Sequence, residues 1–182
     1  MRRTIYTLMM PLGVAAALAS GSAKAQFVPA PCDFITGGGW VVSDSGAKVN
    51  FGSHGGCKLG AFWGHVNVVD HSFNPPAQLT STLITGYLMD PAAPKARDIC
   101  GAGMFNGETV RFRVKMEDNG EPGGSDRFGV RLSNGYHLST RELGPVGSNG
   151  GGNIQLHKPN PSTTGPLLPP SENEMCAGVA SP

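Results

Sequence analysis

The sequence lacks both an apolar run long enough to cross a membrane and an excess of basic charge. A spanning helix needs about 20 apolar residues, whereas the longest apolar run, at residues 8–18, is about half as long. Charged residues make up 15% of the chain and the formal net charge is +1, far from the strongly basic balance of nucleic-acid-binding domains. We therefore expect neither a membrane span nor a nucleic-acid partner.

Short catalytic signatures are missing as well. The chain has no nucleophile elbow of the Gly-x-Ser-x-Gly type, no His-Glu-x-x-His motif and no Gly-x-x-x-x-Gly-Lys phosphate loop. The histidines are scattered, so we expect them to face solvent rather than to bind zinc. We assign no catalytic residues. A small secreted hydrolase is the least favoured alternative, and it stays open because a Ser, His and Asp triad is defined by geometry.

The first 25 residues have the pattern of a secretory signal peptide. Arg2 and Arg3 give a positive start, residues 8–18 form a short apolar run, and residues 23–25 read Ala-Lys-Ala, the small-x-small pattern that signal peptidase cuts. We expect cleavage near Ala25, a mature chain that begins at Gln26, and a periplasmic, cell-surface or secreted location. The acidic residues then slightly outnumber the basic residues that remain.

Four cysteines remain in the exported part: Cys32, Cys57, Cys100 and Cys176. An even number of cysteines in a chain bound for an oxidising compartment predicts disulfides, so we expect two bridges. Three pairings are open, and the sequence does not choose among them. We favour Cys57 with Cys100 and Cys32 with Cys176, because the second pair would tie both ends of the chain down.

Turn-forming residues are abundant, with 27 glycines and 15 prolines, and no stretch keeps a helical apolar period beyond the leader. The clearest pattern is residues 110–117, where valine, phenylalanine, valine and methionine alternate with mostly charged residues. The alternation resumes at residues 128–132. Asn134-Gly135 is then the pair that type I′ hairpin turns prefer, before a returning strand at 136–143. These segments predict an antiparallel meander of three strands.

Shorter strands are predicted between Gly, Pro, Asn and Asp breaks, at residues 40–42, 48–51, 65–70, 79–88 and 153–157. About seven to nine short strands in residues 26–157 are typical of a single antiparallel β-sandwich domain, and a β-barrel is the alternative. Residues 158–182 are rich in Pro, Ser, Thr and Gly and predict a flexible tail. Cys176 is the one hint that this tail returns to the body.

Five motifs in a fixed order resemble a known family. They are Thr36-Gly37-Gly38-Gly39-Trp40, Asn50-Phe51-Gly52, Asn106-Gly107, Asp118-Asn119-Gly120-Glu121-Pro122-Gly123 with Asp126, and Gly151-Gly152-Asn153-Ile154-Gln155-Leu156-His157. Together they are similar to the post-COAP-1 domain of exported bacterial surface proteins, over about residues 34–157, while Cys57 and Cys100 depart from its pattern. The resemblance implies a β-rich surface module of undefined biochemistry and supplies no catalytic residues.

The loop at residues 118–126 is the strongest candidate for a metal site. It carries three carboxylates and an amide among glycines, and Ca²⁺ takes about six to eight oxygen ligands. The hypothesis is that Asp118, Asn119, Glu121 and Asp126 bind calcium, the one cofactor that we consider. The favoured alternative is a hairpin loop whose Asp and Asn side chains bond nearby amides, because the spacing does not fit an EF-hand.

Basic side chains occupy the outward positions of two neighbouring predicted strands: Arg111, Arg113 and Lys115 on the first, Arg127 and Arg131 on the second. Like charges that face each other across strands are destabilising. The favoured interpretation is a solvated face balanced by Glu117 and Glu142. The alternative is binding of an anionic partner, such as surface polysaccharide or lipid headgroups, by Arg111, Arg113 and Arg131.

Trp63 is the aromatic candidate for contact with a sugar ring, because it lies in a Gly-flanked segment. Large aromatics supply much of the buried area of a small sandwich, so packing is the favoured role of Trp63, and Trp40 is expected in the core. Taken together, the sequence predicts a secreted or cell-envelope structural or interaction module, with surface polysaccharide or another envelope protein as partner. A calcium-dependent or carbohydrate-binding domain is the alternative.

Overall fold

The structure, a computed structural model, describes residues 25–144 and 151–182. The predicted leader, apart from Ala25, lies outside the described residues. Within them the regular secondary structure is nearly all strand. No described helix is long and apolar enough to span a membrane. The described elements are β1 (Phe34–Val42), β2 (Lys48–Lys58), β3 (Ala61–Asp70), β4 (Ala77–Asp90), β5 (Ala93–Phe105), β6 (Glu108–Glu117), β7 (Arg127–Leu132), β8 (His137–Glu142), β9 (Gly152–His157) and α1 (Glu172–Cys176).

The strands of the described residues form one antiparallel sheet in the order β8-β7-β6-β5-β4-β3-β2-β1-β9. The predicted meander is confirmed as β6, β7 and β8. The predicted type I′ turn is wrong at Asn134-Gly135, since only Gly135 of that pair has a positive φ. The left-handed pair that a type I′ turn requires occurs instead at Asn106-Gly107, between β5 and β6, and at Leu59-Gly60, between β2 and β3.

The sheet folds over on itself and forms a sandwich. Strands β4 and β5 are 14 and 13 residues long, and their pairing shifts register at three places along β4, where bulges bend a sheet. The two halves therefore face each other across the core, so that the rings of Phe51 in β2 and Phe128 in β7 stack with centroids 3.9 Å apart. The described strands do not close into a barrel.

Buried polar groups join neighbouring elements at each end of the sandwich. Asp33, just before β1, accepts hydrogen bonds from the Tyr87 hydroxyl at 2.6 Å and from Arg97 Nε at 3.0 Å. At the opposite end, the Tyr136 hydroxyl donates to Asp70 Oδ2 at 2.8 Å, which links the β7–β8 turn to β3. Burial, followed by the hydrogen bond to Asp70, raises the pKa of Tyr136, so this phenol stays a donor at neutral pH.

All four cysteines form disulfides, as predicted, but the favoured pairing is wrong. The bridges are Cys32–Cys57 and Cys100–Cys176, with Cα atoms 5.9 and 4.9 Å apart. Antiparallel pairing of β1 with β2 places Cys57 beside the residue after Cys32, since the Cys57 N–H donates to the Asp33 carbonyl. Cys100 lies instead under α1, in a separate apolar cluster with Leu88, Met175 and Cys176.

The C-terminal segment, predicted as a flexible tail, packs on the outer side of β4, β5 and β6. Met175, Cys176 and Val179 are buried. Gly86 is required for this packing, because a Cβ there would lie 2.4 Å from the Met175 Cβ. The capping box of Ser171 and Glu174 starts α1, and the Cys100–Cys176 bridge fixes its end. The sequence hint from Cys176, that the segment returns to the body, is confirmed.

Candidate binding face

The centre of the predicted anionic-partner face, Arg113, lies under the C-terminal segment. Arg113 has only 3% of its surface exposed, because residues from both ends of the chain surround its guanidinium. Its Nε donates to Asp98 at 2.7 Å, and its Nη2 contacts Glu172 and Gln26 at 2.8 Å each. Arg113 is thus an internal ion-pair partner, and its predicted role as a surface ligand contact is corrected.

The other basic residues of this face find partners along the strands. Arg127 stands in register between Glu117 on β6 and Glu142 on β8, the acidic residues that the sequence named for charge balance. Arg131 Nη2 lies 3.2 Å from His137 Nε2. Burial and the Arg131 guanidinium lower the pKa of His137, which favours the neutral ring as acceptor. Arg111 is exposed, and it alone of the three ligand candidates remains freely accessible.

The carboxylates of the 118–126 loop fasten β9 to the sandwich. Asp126 Oδ1 accepts the Asn119 N–H at 2.8 Å, and its Oδ2 accepts the Ile154 N–H at 2.7 Å. Asp118 likewise accepts the N–H groups of Gly120 and Leu156, at 3.0 and 2.8 Å. All four oxygens of Asp118 and Asp126 therefore accept backbone hydrogen bonds. Those from Asn119 and Gly120 are the local bonds of the hairpin-loop alternative, whereas those from Ile154 and Leu156 reach β9, which the sequence did not predict.

The remaining candidate ligands of this loop lie nearby but point to other partners. Asn119 Nδ2 donates to the Ser125 carbonyl at 2.9 Å, and Glu121 Oε1 accepts from Asn153 at 3.1 Å. Burial raises the pKa of the Asp126 carboxyl, against the lowering by its two N–H donors. No metal-holding group of three or more His, Cys, Asp or Glu residues occurs in the described ranges. Calcium binding at this loop stays a prediction.

A different surface carries a concentration of polar and aromatic groups. The outward side chains of β9, β1, β2 and β3 form one surface, which we call the open face. Its cross-strand rows follow from the register, and they are His157–Phe34–Gly56–Trp63, Gln155–Thr36–His54–His65, Asn153–Gly38–Gly52–Asn67 and Trp40–Asn50–Val69. The inward residues of the same strands, such as Ile35 and Val66, are fully buried.

Glycines form the floor of the open face at its middle row. A Cβ built on Gly52 meets nothing within 4 Å, and one on Gly38 meets only the Phe51 carbonyl at an ordinary 3.5 Å. Packing therefore does not require glycine at either position, whereas Gly56 is required, since its Cβ would lie 2.4 Å from that of Phe34. Glycine inside a strand weakens it and often marks the close approach of a ligand.

The two tryptophans lie on either side of the row that contains Gly38 and Gly52. Trp63 is half-buried, with its ring centroid 5.2 Å from that of His54 and 6.1 Å from that of Phe34. Trp40 is also half-buried. The prediction that it lies in the core is therefore wrong. The Lys48 ammonium lies 4.5 Å from the Trp40 ring centroid, and the Lys58 ammonium lies 5.8 Å from that of Trp63. Each indole thus has an ammonium group over its ring.

Histidines are part of this surface rather than scattered. His54 and His65 face each other across β2 and β3 with ring centroids 6.3 Å apart, while His157 stacks on Phe34 at 4.3 Å and contacts Thr36. Burial, and secondarily His65, lower the pKa of His54. The lowered pKa favours the neutral His54 ring, which is a hydrogen-bonding group, and protonation of His54 on acidification adds positive charge here.

Sequence reasoning identified Trp63 but missed the rest of the open face. The glycine-rich strands β1 and β2 lack the alternation of apolar residues that reveals a half-buried strand, so no outward side could be assigned to them. The available signal was the pair Gly38 and Gly52, which stand in register. Comparison with family models, with curated proteins and with solved structures found no match to this chain.

Proposed function

We propose that this protein is an exported, non-catalytic interaction module that binds its partner through the open face. The observation that carries the proposal is the glycine floor, since Gly38 and Gly52 are not required for packing yet weaken the strands that hold them. The opposite outer face is occupied by the chain's own C-terminal segment. The resemblance to the post-COAP-1 domain supports the same class, a surface module outside the cytoplasm.

Two features support export with cleavage after Ala25. Two disulfides are typical of an oxidising compartment. The residues directly after Ala25 also contact the body, since the Gln26 backbone N lies 3.1 Å from Glu172 Oε2 and Phe27 exchanges two backbone hydrogen bonds with Met89. Hydrolysis of the Ala25–Gln26 peptide bond would turn this backbone nitrogen into an ammonium facing a carboxylate. The mature terminus would thereby gain an ion pair.

We expect the mature chain to be stabilised by this ammonium. Compared with a chain acetylated at Gln26, unfolding should cost about 0.2–1 kcal/mol more at pH 7, the range of a partly exposed ion pair. Deprotonation of the ammonium removes the ion pair, so the gain that is present at pH 7 disappears at high pH. Thermal denaturation at pH 7 and pH 10 measures it.

Glu172→Gln provides the matched control for that comparison, because it removes the carboxylate and should remove the effect of acetylation. An effect of acetylation that persists in Glu172→Gln would contradict the ion pair. Mass spectrometry of the protein recovered from its native host tests cleavage itself. A mature mass that does not start at Gln26, or retention of the leader, would overturn the export proposal.

Co-sedimentation with isolated cell envelopes tests the interaction module. We expect purified residues 26–182 to sediment with the envelopes, and we expect Gly52→Thr to reduce the bound fraction several-fold. Since a Cβ at this position has free space and threonine favours strands, the variant should melt at a slightly higher temperature than the wild type. Equal sedimentation of a well-folded Gly52→Thr variant would refute binding through the open face.

A further inference from the structure

The open face carries positive charge, although the whole chain is nearly neutral. None of the outward positions of β9, β1, β2 and β3 in the described residues carries Asp or Glu. The ammonium groups of Lys48 and Lys58 lie over the two indole rings. The partner that such a surface complements is an anion.

The hydrogen-bonding groups between the tryptophans both donate and accept. They are mainly amides, a hydroxyl and imidazoles, at Asn153, Gln155, Thr36, Asn67, His54 and His65. A saccharide hydroxyl is likewise both a donor and an acceptor, and such groups bond it in either orientation. These outward positions carry no carboxylate, which would repel an anionic chain; Glu121 borders them at the β9 edge, where it accepts a hydrogen bond from Asn153.

The dimensions fit an extended chain rather than a compact ligand. Trp63 stands in the row of Phe34, six residues along β1 from Trp40. Six residues of strand extend about 20 Å, which is the length of several sugar rings. Between them the glycine floor lets a ligand lie against the backbone, and indole rings at the two ends present apolar surfaces on which sugar rings can stack.

We infer that the open face binds an acidic polysaccharide, and this inference rests on the proposed function that the open face is where the partner binds. Sugar rings stack on Trp40 and Trp63 in place of the ammonium groups of Lys48 and Lys58, which lie over these rings in the structure. The displaced ammonium groups pair with the sugar carboxylates, and the intervening rings lie over Gly38 and Gly52. The Arg111 side of the molecule, suggested by the sequence for the same class of partner, does not take part.

Titration with a linear polyuronate, polygalacturonate oligomers, tests this assignment, with a neutral glucan of equal length as the comparison. We expect the polyuronate to bind and the glucan to bind at least tenfold more weakly. The double variant Lys48→Ala/Lys58→Ala should lose at least tenfold in affinity. The matched double variant Lys95→Ala/Arg111→Ala removes two exposed cations elsewhere and should bind within twofold of the wild type.

Gly52→Thr supplies a variant whose fold is not in question. We expect it to weaken polyuronate binding at least tenfold while its melting temperature stays equal or rises. Salt should weaken wild-type binding, because ion pairs at an exposed surface are screened. Stronger loss in the Lys95→Ala/Arg111→Ala variant than in the lysine pair would assign binding to the opposite face and overturn the inference.

Acidification gives an independent readout of the same site. His54 faces Thr36 on β1 and His65 on β3, and no carboxylate occupies the outward positions of these strands. Protonation of His54 adds positive charge to the open face, so polyuronate affinity should rise from pH 7.5 to pH 5.5. His54→Gln should reduce that rise. An affinity that falls on acidification would contradict binding of an anionic chain here.

The outcomes separate the polysaccharide inference from the proposed function. If envelopes bind through the open face but polyuronate does not, protease treatment of the envelopes distinguishes a protein partner from a polysaccharide partner. Loss of binding after proteolysis would assign the face to a protein partner and overturn only the polysaccharide inference. If Gly52→Thr alters neither envelope nor polyuronate binding, both proposals fail together.

Discussion

Arg113→Ala is expected to lower the free energy of unfolding by about 3–5 kcal/mol, the usual cost of removing one partner of a buried ion pair. Asp98 would be left with 1% of its surface exposed and without the donor that lies 2.7 Å from its Oδ2. The guanidinium also donates to the Val179 carbonyl and to Gln26. The substitution therefore removes the side-chain contacts that join Gln26 and Val179 to β6, while the Cys100–Cys176 bridge still holds the C-terminal segment.

Denaturant unfolding followed by circular dichroism measures this loss, and Arg111→Ala is the matched control two residues away. Since Arg111 is exposed, its removal should change stability by no more than about 0.5 kcal/mol. The double variant Arg113→Met/Asp98→Leu removes both charges and should recover part of the loss. If Arg113→Ala were as mild as Arg111→Ala, the C-terminal segment could not be held by this guanidinium.

Arg113 also shows where prediction from the sequence stops. The alternation of β6 correctly predicted Val110, Phe112, Val114 and Met116 as buried and Arg113 as facing the other side. What covers that side comes from residues 172–182, which are distant in sequence and follow a stretch rich in Pro, Ser, Thr and Gly that predicted a flexible tail. A period of two identifies the two faces of a strand, but not what packs on each.

Glycine content limited the prediction at the other end of the sheet. Residues 40–42 and 48–51 were predicted as short strands, whereas β1 is Phe34–Val42 and β2 is Lys48–Lys58. The missed parts contain Gly37, Gly39 and Gly55, where a Cβ would clash with Ile154, Gly151 and Ile99. Close backbone packing thus requires residues of low strand propensity at these positions. Because these parts of β1 and β2 were not predicted as strands, the open face was not predicted either. The disulfide pairing was missed for the same reason, since it depends on the β1–β2 register.

Asp126→Ala should cost about 2–5 kcal/mol of unfolding free energy. Its two oxygens accept the N–H groups of Asn119 and Ile154, and a buried N–H left without an acceptor costs about 1–3 kcal/mol. Asp126→Asn keeps the size of the side chain but retains one oxygen, so it should lose about half as much. Equilibrium unfolding of both variants checks this gradation. Equal stability of Asp126→Asn and the wild type would show that only one of the two hydrogen bonds matters.

Calcium distinguishes the two interpretations of this loop in the same experiment. Glu121 is exposed and bonds only Asn153 among the contacts described, so Glu121→Ala should hardly change stability without calcium. If Asp118, Asn119, Glu121 and Asp126 bind the ion, calcium raises the melting temperature of the wild type, and Glu121→Ala lowers that gain because one ligand is lost. If the carboxylates act through backbone hydrogen bonds alone, millimolar calcium and its removal by a chelator leave both proteins unchanged. Because all four oxygens of Asp118 and Asp126 already accept N–H groups, the second outcome is the one that the contacts favour.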